Sequence, residues 1–336
     1  MNSYFSSFIT GLDEVVSEGL KSCLPESKIT QLFDGLVIWK TNAPVERIKE
    51  IRFFNNSFLL LSQTKTTDLE PFVRQVLENE EITKRLTPFL PKTKASFRIM
   101  FSQENQPASV SPKLLADLEK KFIFRNLFVN RSNPEVELLF LIRSEGQGFL
   151  GLRLTRHKDY KKTLPAGELR PELAHLLCLI SDPRPEDIFL DPFAGYGAIP
   201  VERASAFLYK QIFAGDIDII RINDLKAKTK KFGRLIIGRW DATKLSAFQN
   251  GSIDKIVTDP PWAIHSKIDI KELYPKFLRE AYRILKKCGV LVVLVADKEL
   301  WENCLEKILG FKVEKKYTIL VSGKKAAIYK IIKVES

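Results

Sequence analysis

The chain has 336 residues, 45% of them hydrophobic and 28% charged, enough for two or three domains with cores of their own. Its formal net charge of +12 favours an acidic partner such as nucleic acid, and no apolar stretch approaches the ~20 residues of a membrane span. Four scattered cysteines (Cys23, Cys178, Cys288, Cys304) and three scattered histidines (His157, His175, His265) suggest neither a disulfide framework nor a metal site. The N-terminus is polar, with no basic segment before an apolar run, so no signal peptide is read there and a cytoplasmic protein is expected. The charge is uneven. Residues 1–160 carry 22 basic and 19 acidic side chains, a balance of +3, whereas residues 161–336 carry 31 and 22, a balance of +9.

In the first half, Gly11 to Leu24 predicts a helix with Leu12, Val15, Val16, Leu20 and Leu24 on one face. Leu36 to Trp39 predicts a strand, with Trp39 in a core rather than at a contact. Val45 to Phe53 reads as a second helix opened by Pro44, and Phe58 to Leu61 as another strand. Leu69 to Leu77 is helical, and Ser96 to Phe101 alternates as a strand. Ser111, as a cap, and Pro112 open a further helix. Asn126–Val129, Val136–Ile142 and Phe149–Leu154 read as strands. This α+β mixture contains no nucleophile, acid pair or metal cluster.

Lys158 to Thr163 is charged and lacks apolar periodicity, so a linker is placed there, continued through Gly167. After a helix over Arg170 to Ile180, the strand Ile188-Phe189-Leu190 runs into Asp191-Pro192-Phe193-Ala194-Gly195-Tyr196-Gly197 and a helix. A strand, a Gly-x-Gly loop and a helix open a nucleotide-binding βα unit. A dinucleotide fold would want a third glycine where Pro200 stands, and no Gly-x-x-x-x-Gly-Lys sequence occurs. A cationic nucleoside without phosphates, such as S-adenosylmethionine, fits this pattern better than NAD or ATP. Asp216 ends the next strand 25 residues after Asp191, where a carboxylate takes ribose hydroxyls; Asp218 is its rival. Trp240-Asp241-Ala242 follows a third strand, within reach of an adenine amine.

The fourth strand, Ile253 to Val257, leads into Asp259-Pro260-Pro261-Trp262. Prolines fix the directions of the neighbouring carbonyls, a carboxylate accepts from an amine, and an indole offers a face for stacking. Together they describe a clamp for a planar exocyclic amine; the plainer possibility is a proline turn with a core tryptophan. A helix over Ile270 to Leu285, a strand over Val290 to Val295, a helix over Glu299 to Leu309 and a closing pair of strands complete a seven-stranded, mostly parallel sheet. Basic residues between Lys226 and Arg239, with Lys315-Lys316 and Lys324-Lys325, read equally as phosphate contacts or as solvated surface.

Asn133-Pro134-Glu135-Val136 before a strand, then Phe149-Leu150-Gly151-Leu152-Arg153-Leu154-Thr155, resemble a THUMP domain. The opening unit resembles the ferredoxin-like domain that precedes THUMP in RNA-modifying enzymes. The segment from Asp191 to Gly197, with Asp259-Pro260-Pro261-Trp262 behind such a region, resembles the THUMP-containing tRNA guanine-N2 methyltransferases. The resemblance implies an α/β fold, with a Rossmann-like seven-stranded methyltransferase domain (170–336) preceded by α+β ferredoxin-like (1–60) and THUMP (61–157) domains and a linker (158–169). It implies S-adenosylmethionine held by Asp191, Phe193, Ala194, Gly195, Gly197, Asp216, Ile217, Asp241, Ala242 and Asp259, with Arg170 and Pro171 leading into the site. Asp259 to Trp262 would hold the base, extruded from its helix. The implied partner is tRNA, captured at its acceptor end, with the guanosine at position 6 favoured and position 10 second. A monomer without metal is expected. Two departures stand out: the family usually has tyrosine, phenylalanine or histidine, then glycine, where this chain has Trp262 and Ala263. Tryptophan there also resembles RNA adenine-N6 methyltransferases, which place the clamp before the glycine loop. Two more rivals are a protein glutamine methyltransferase, whose clamp begins with asparagine, and a non-catalytic RNA-binding subunit.

Overall fold

The computed structural model describes all residues except 124–126, 156–163, 165–166, 263–268, 322 and 335–336. Most of the expected linker, together with Asn126, His157, Ala263, His265 and Ser322, therefore lies outside the described residues. The chain divides into two compact units, Met1–Phe8 with Leu20–His157, and Ile9–Gly19 with Lys158–Ser336. No helix among the described residues is long and apolar enough to cross a membrane.

The first unit is built on one nine-stranded sheet. Its strands are β1 (Asn2–Ser7), β2 (Lys28–Phe33), β3 (Leu36–Thr41), β4 (Asn56–Lys65), β5 (Ala95–Gln103), β6 (Gln106–Pro107), β7 (Leu127–Val129), β8 (Val136–Arg143) and β9 (Gln147–Arg153). The order is β2-β3-β1-β4-β9-β8-β5-β6, with β7 also paired to β5. The residue 60/61 boundary falls inside β4, which pairs with β1 on one side and β9 on the other. Helices α1 (Asp13–Cys23), α2 (Val45–Lys49), α3 (Leu69–Glu78), α4 (Glu81–Leu86) and α5 (Pro112–Phe122) occur in the same stretch of chain. Apolar residues at helical spacing bury one face of α3 (Leu69, Phe72, Val73, Val76) and of α5 (Leu114, Leu118, Phe122).

The sheet curls strongly. Phe33 on β2 and Phe149 on β9 are four strands apart, ~19 Å in a flat sheet, yet their ring centroids stand 6.2 Å apart. Inside the curl lie Phe5, Leu36, Ile38, Phe58 and Leu60. Trp39 is fully buried on the other face of β3, its Nε1–H donating to Ser6 Oγ at 3.1 Å. Three local expectations need correction. β1 and β2 are absent from the strands expected above: serines flank the aromatics of β1, and most of β2 is exposed, so neither alternates cleanly. The predicted helix over Val45 to Phe53 stops at Lys49, because Phe53 and Phe54 turn into the core. Ser111 occupies the cap position of α5 but makes no capping hydrogen bond; the fixed φ of Pro112 sets that start.

The second unit alternates strand and helix: α6 (Pro171–Ile180), β10 (Ile188–Asp191), α7 (Ala198–Ala206), β11 (Gln211–Asp216), α8 (Ile219–Thr229), β12 (Leu235–Arg239), β13 (Ile253–Thr258), α9 (Ile270–Ile284), β14 (Leu285–Val295), α10 (Lys298–Leu305), β15 (Phe311–Val321) and β16 (Lys324–Lys333). Its seven-stranded sheet has the order β12-β11-β10-β13-β14-β16-β15. The first five strands are parallel, β16 runs antiparallel to β14, and edge strand β15, antiparallel to β16, returns to the direction of the five. From β10 the chain winds outward through β11 to β12, then crosses to β13 on the other side. β10 is therefore the topological switch point, where the carboxyl ends of the strands leave a crevice. The core beneath it is packed by Tyr274, Phe277, Trp301 and Tyr329 against β13 and β14. Edge strand β15 is covered by the segment Ile9–Gly19. Gly11 takes φ +87°, and a Cβ there would strike the Thr318 carbonyl, while Lys315 pairs with Glu14.

Candidate active site

Four acids stand at the carboxyl ends of four neighbouring parallel strands, in the spatial order Asp241, Asp216, Asp191, Asp259. Each follows a short apolar strand, so the sheet's register brings together residues that are 68 positions apart in sequence at the extremes. Asp191 ends β10 and is 1% exposed. Its Oδ1 accepts from Thr258 Oγ1 at 2.6 Å and from the Phe193 N–H at 3.2 Å. Its Oδ2 is buried and has no hydrogen-bond partner among the described residues. Burial, reinforced by the charges of Asp259 and Asp216, pushes the Asp191 carboxyl up to about 8.

Asp216 ends β11 and faces the glycine loop: Gly195 N–H donates to its Oδ2 at 3.1 Å, and Asp218 N–H to its Oδ1 at 2.9 Å. Arg221 Nη1 lies 3.5 Å from Asp216 Oδ2. The rival acid has another task, since Asp218 caps α8 by accepting from the Ile220 N–H at 2.8 Å. The loop itself is tied to β11 through Ala194 N–H to Gly215 O at 2.8 Å. Gly197, at φ +97°, begins α7, and a Cβ there would strike Leu225. Gly195, at φ +53°, is different: a Cβ there would meet nothing closer than 4.0 Å, so open space adjoins this loop. Ile217, beside Asp216, is 58% exposed.

Asp241 is exposed and accepts from Thr243 N–H and Oγ1–H at 2.8 and 2.7 Å, making the turn that buries Ala242. The preceding Trp240 lies across two glycines that pair in the sheet, Gly215 and Gly238; a Cβ on either would run into the indole. Phe248 meets Trp240 edge-on at 4.9 Å. Arg170 occupies the cap position of α6, and Pro171 is its first residue.

Asp259 follows β13. Trp262 Nε1–H donates to its Oδ1 at 2.9 Å, and burial pushes its carboxyl up to about 7. Pro261 is fixed from the other side, its carbonyl accepting from the buried Tyr274 hydroxyl at 3.2 Å. Sequence reasoning missed both Thr258 and Tyr274, because their partners lie 67 and 13 residues away. A threonine directly after the apolar pair Ile256-Val257 was the one available signal.

The arrangement fits a cationic nucleoside. A crowded set of carboxylates, one with an orphaned buried oxygen, would be relieved by a positive charge, and the glycine loop leaves room for a ligand. Among the described residues no group of His, Cys, Asp and Glu could hold a metal ion.

Residues 158–326 match the UPF0020 family, the RMKL-like methyltransferase domain. The chain belongs to this family. It is similar to tRNA (guanine(6)-N(2))-methyltransferase THUMP3 of Bos taurus, 31% identical over 220 residues, which cover 59% of this chain and 43% of the relative. It is also similar to the tRNA (guanine(6)-N2)-methyltransferase of Thermus thermophilus, 30% identical over 219 residues, covering 62% of this chain and 65% of the relative. The chain thus spans about half to two-thirds of the length of these relatives. Among solved structures, TrmN from Thermus thermophilus has the same fold: TM-score 0.79 and 22% identity, covering 99% of this chain and 100% of that one.

Proposed function

We propose that this protein transfers a methyl group from S-adenosylmethionine to the exocyclic N2 of a guanosine in tRNA, at position 6. The observation that carries the reading is the juxtaposition of Asp191 and Asp259, on neighbouring strand ends joined by the Thr258–Asp191 hydrogen bond. A donor-holding acid and a base-holding acid then share one rim. The relatives named as guanine(6)-N2 enzymes support the choice of base and position. The N-terminal unit is read as ferredoxin-like and THUMP elements that capture the acceptor end of tRNA. The protein is read as a monomer in the cytoplasm.

The donor supplies an activated methyl on a sulfonium for in-line transfer. The chain's own residues bind and orient. Asp191 faces the positive end, Asp216 takes the ribose hydroxyls, and Ile217, Asp241 and Ala242 enclose the adenine. Arg170 and Pro171 begin the helix that leads into the site. On the acceptor side, Asp259 and the Pro260 carbonyl accept the two N–H bonds of the exocyclic amine. This draws its conjugated lone pair toward the methyl carbon, and the proton released on transfer goes to the Asp259 carboxylate. Trp262 stacks on the extruded base. Holding the reacting atoms ~3–3.5 Å apart supplies much of the rate.

Incubating bulk tRNA with the protein and labelled donor, then digesting to nucleosides, tests this. N2-methylguanosine mapped to position 6 is expected. N2-methylguanosine at position 10 would move the site, and N6-methyladenosine, the reading that Trp262 favours, would replace the base. The absence of any labelled nucleoside would overturn the assignment.

A further inference from the structure

Thr258 immediately precedes the clamp and is the last residue of β13. Its hydroxyl crosses to β10 and donates to Asp191 Oδ1 at 2.6 Å. Both residues are essentially inaccessible, with Thr258 at 0% and Asp191 at 1% exposure. With Oδ1 doubly held, by this hydroxyl and by the Phe193 N–H, the Asp191 carboxylate cannot rotate, and its other oxygen is left without a partner among the described residues. The next peptide along carries Asp259. A single residue therefore fixes the orientation of one acid and the starting point of the other.

We propose that Thr258 is a positioning residue that couples the two halves of the site, aiming Asp191 at the donor's positive group while fixing the entry of the Asp259-Pro260 segment. The inference rests on the proposed methyl-transfer reading. Among the described residues, the titratable groups that act on Asp191 are Asp216 at the end of β11, Asp259 after β13 and the buried Cys178 thiol of α6. None of these three is cationic, and Arg221 nearby is placed on Asp216 Oδ2 at 3.5 Å. Asp191 therefore depends on the hydroxyl and the Phe193 N–H for stabilisation of its charged form until a cation arrives. Burial raises this carboxyl, and the Thr258 hydrogen bond opposes the rise. Loss of the hydroxyl would raise it further, so donor affinity, which needs the carboxylate, would develop only at higher pH.

The test is calorimetric titration of S-adenosylmethionine into the full chain from pH 6 to 9, for wild type, Thr258→Val and Thr258→Ser. The valine variant should bind about tenfold more weakly at neutral pH, with the inflection of affinity against pH displaced upward; serine should restore both. Should the valine variant not fold, Thr258→Ala and Thr258→Ser, which differ by one hydroxyl, carry the same comparison. A hydroxyl-free variant whose affinity and inflection match wild type overturns the coupling and leaves the methyl-transfer reading intact. A wild-type chain that binds no donor overturns both. A purely structural role would lower the melting temperature without moving the inflection, and that result also counts against the proposal.

Discussion

Asp216 and Asp259 are both carboxylates at the carboxyl ends of parallel strands that flank β10, yet they are held in opposite ways. Asp216 is gripped by main chain, through the N–H groups of Gly195 and Asp218. Asp259 is held by a side chain, the indole N–H of Trp262. Backbone donors cannot leave without unfolding the loop, whereas an indole can rotate away. The donor side of the rim is therefore preorganised, and the acceptor side carries a contact that an incoming amine must share or displace. On the proposed reading this difference suits the two ligands: a small cofactor of constant shape, and a base that is extruded from an RNA helix and then released.

The largest effect that would break this comparison is at Asp259 itself. Asp259→Asn keeps the shape but removes the charge that accepts the amine's protons. Turnover should fall about a thousandfold, while donor affinity stays within a few-fold of wild type. Methyl incorporation and donor titration measured side by side check this. If donor affinity collapses in parallel, the division into two sides is wrong.

Next in size is damage to the donor side through packing alone. Gly238→Ala drives a methyl into the Trp240 indole, which is already enclosed by Gly215 and Phe248. Overpacking of this kind costs about 1–3 kcal/mol, and urea unfolding should show it. Because the Asp241–Ala242 turn follows Trp240 directly, donor affinity should drop as well. Gly195→Ala, whose Cβ would meet only open space within the protein but whose backbone sits at φ +53°, should weaken donor binding, with a stability loss of about 1–2 kcal/mol from backbone strain rather than packing.

A third test uses pH without mutation. Burial raises Asp191 from its ordinary 3.8 to about 8 and Asp259 to about 7. The folded chain therefore holds protons that the unfolded chain has released. The stabilising contribution of these two groups is complete below about pH 4, is lost progressively as pH climbs from there, and is gone above about 8. Melting temperature of the donor-free protein should fall across that window. Saturating S-adenosylmethionine, whose positive charge favours the carboxylates, should flatten the decline.

Much of this rim was legible in the sequence. Asp191, Asp216, Asp241 and Asp259 each follow a short apolar run, and a parallel sheet puts such strand ends side by side. What could not be read was the choice among near neighbours and the long-range contacts. Asp216 and Asp218 are equivalent on paper; only the start of α8 shows that Asp218 spends its carboxylate on a cap. Tyr274 looks like any apolar position on an amphipathic helix until its hydroxyl is seen on Pro261 O. The first unit was less legible, since β1 and β2 lack alternation and acquire their strand character from their partners in a curled sheet.

The finest probe is Trp262→Phe, which keeps an aromatic face for stacking and removes only the N–H on Asp259. That hydrogen bond favours the Asp259 carboxylate, so its loss moves an already raised carboxyl higher still. Transfer that depends on the carboxylate rises with pH through about 7 in wild type. In the variant this rise shifts to higher pH, so turnover near pH ~7 should drop about threefold and recover at pH ~9. The KM for tRNA should change little, because the stacking surface survives. Trp262→Ala, by contrast, should raise that KM strongly and leave donor affinity untouched. A phenylalanine variant with an unshifted pH profile would mean that the indole N–H has already left Asp259 in the complex, so that the acceptor side is reorganised by the base before the methyl moves.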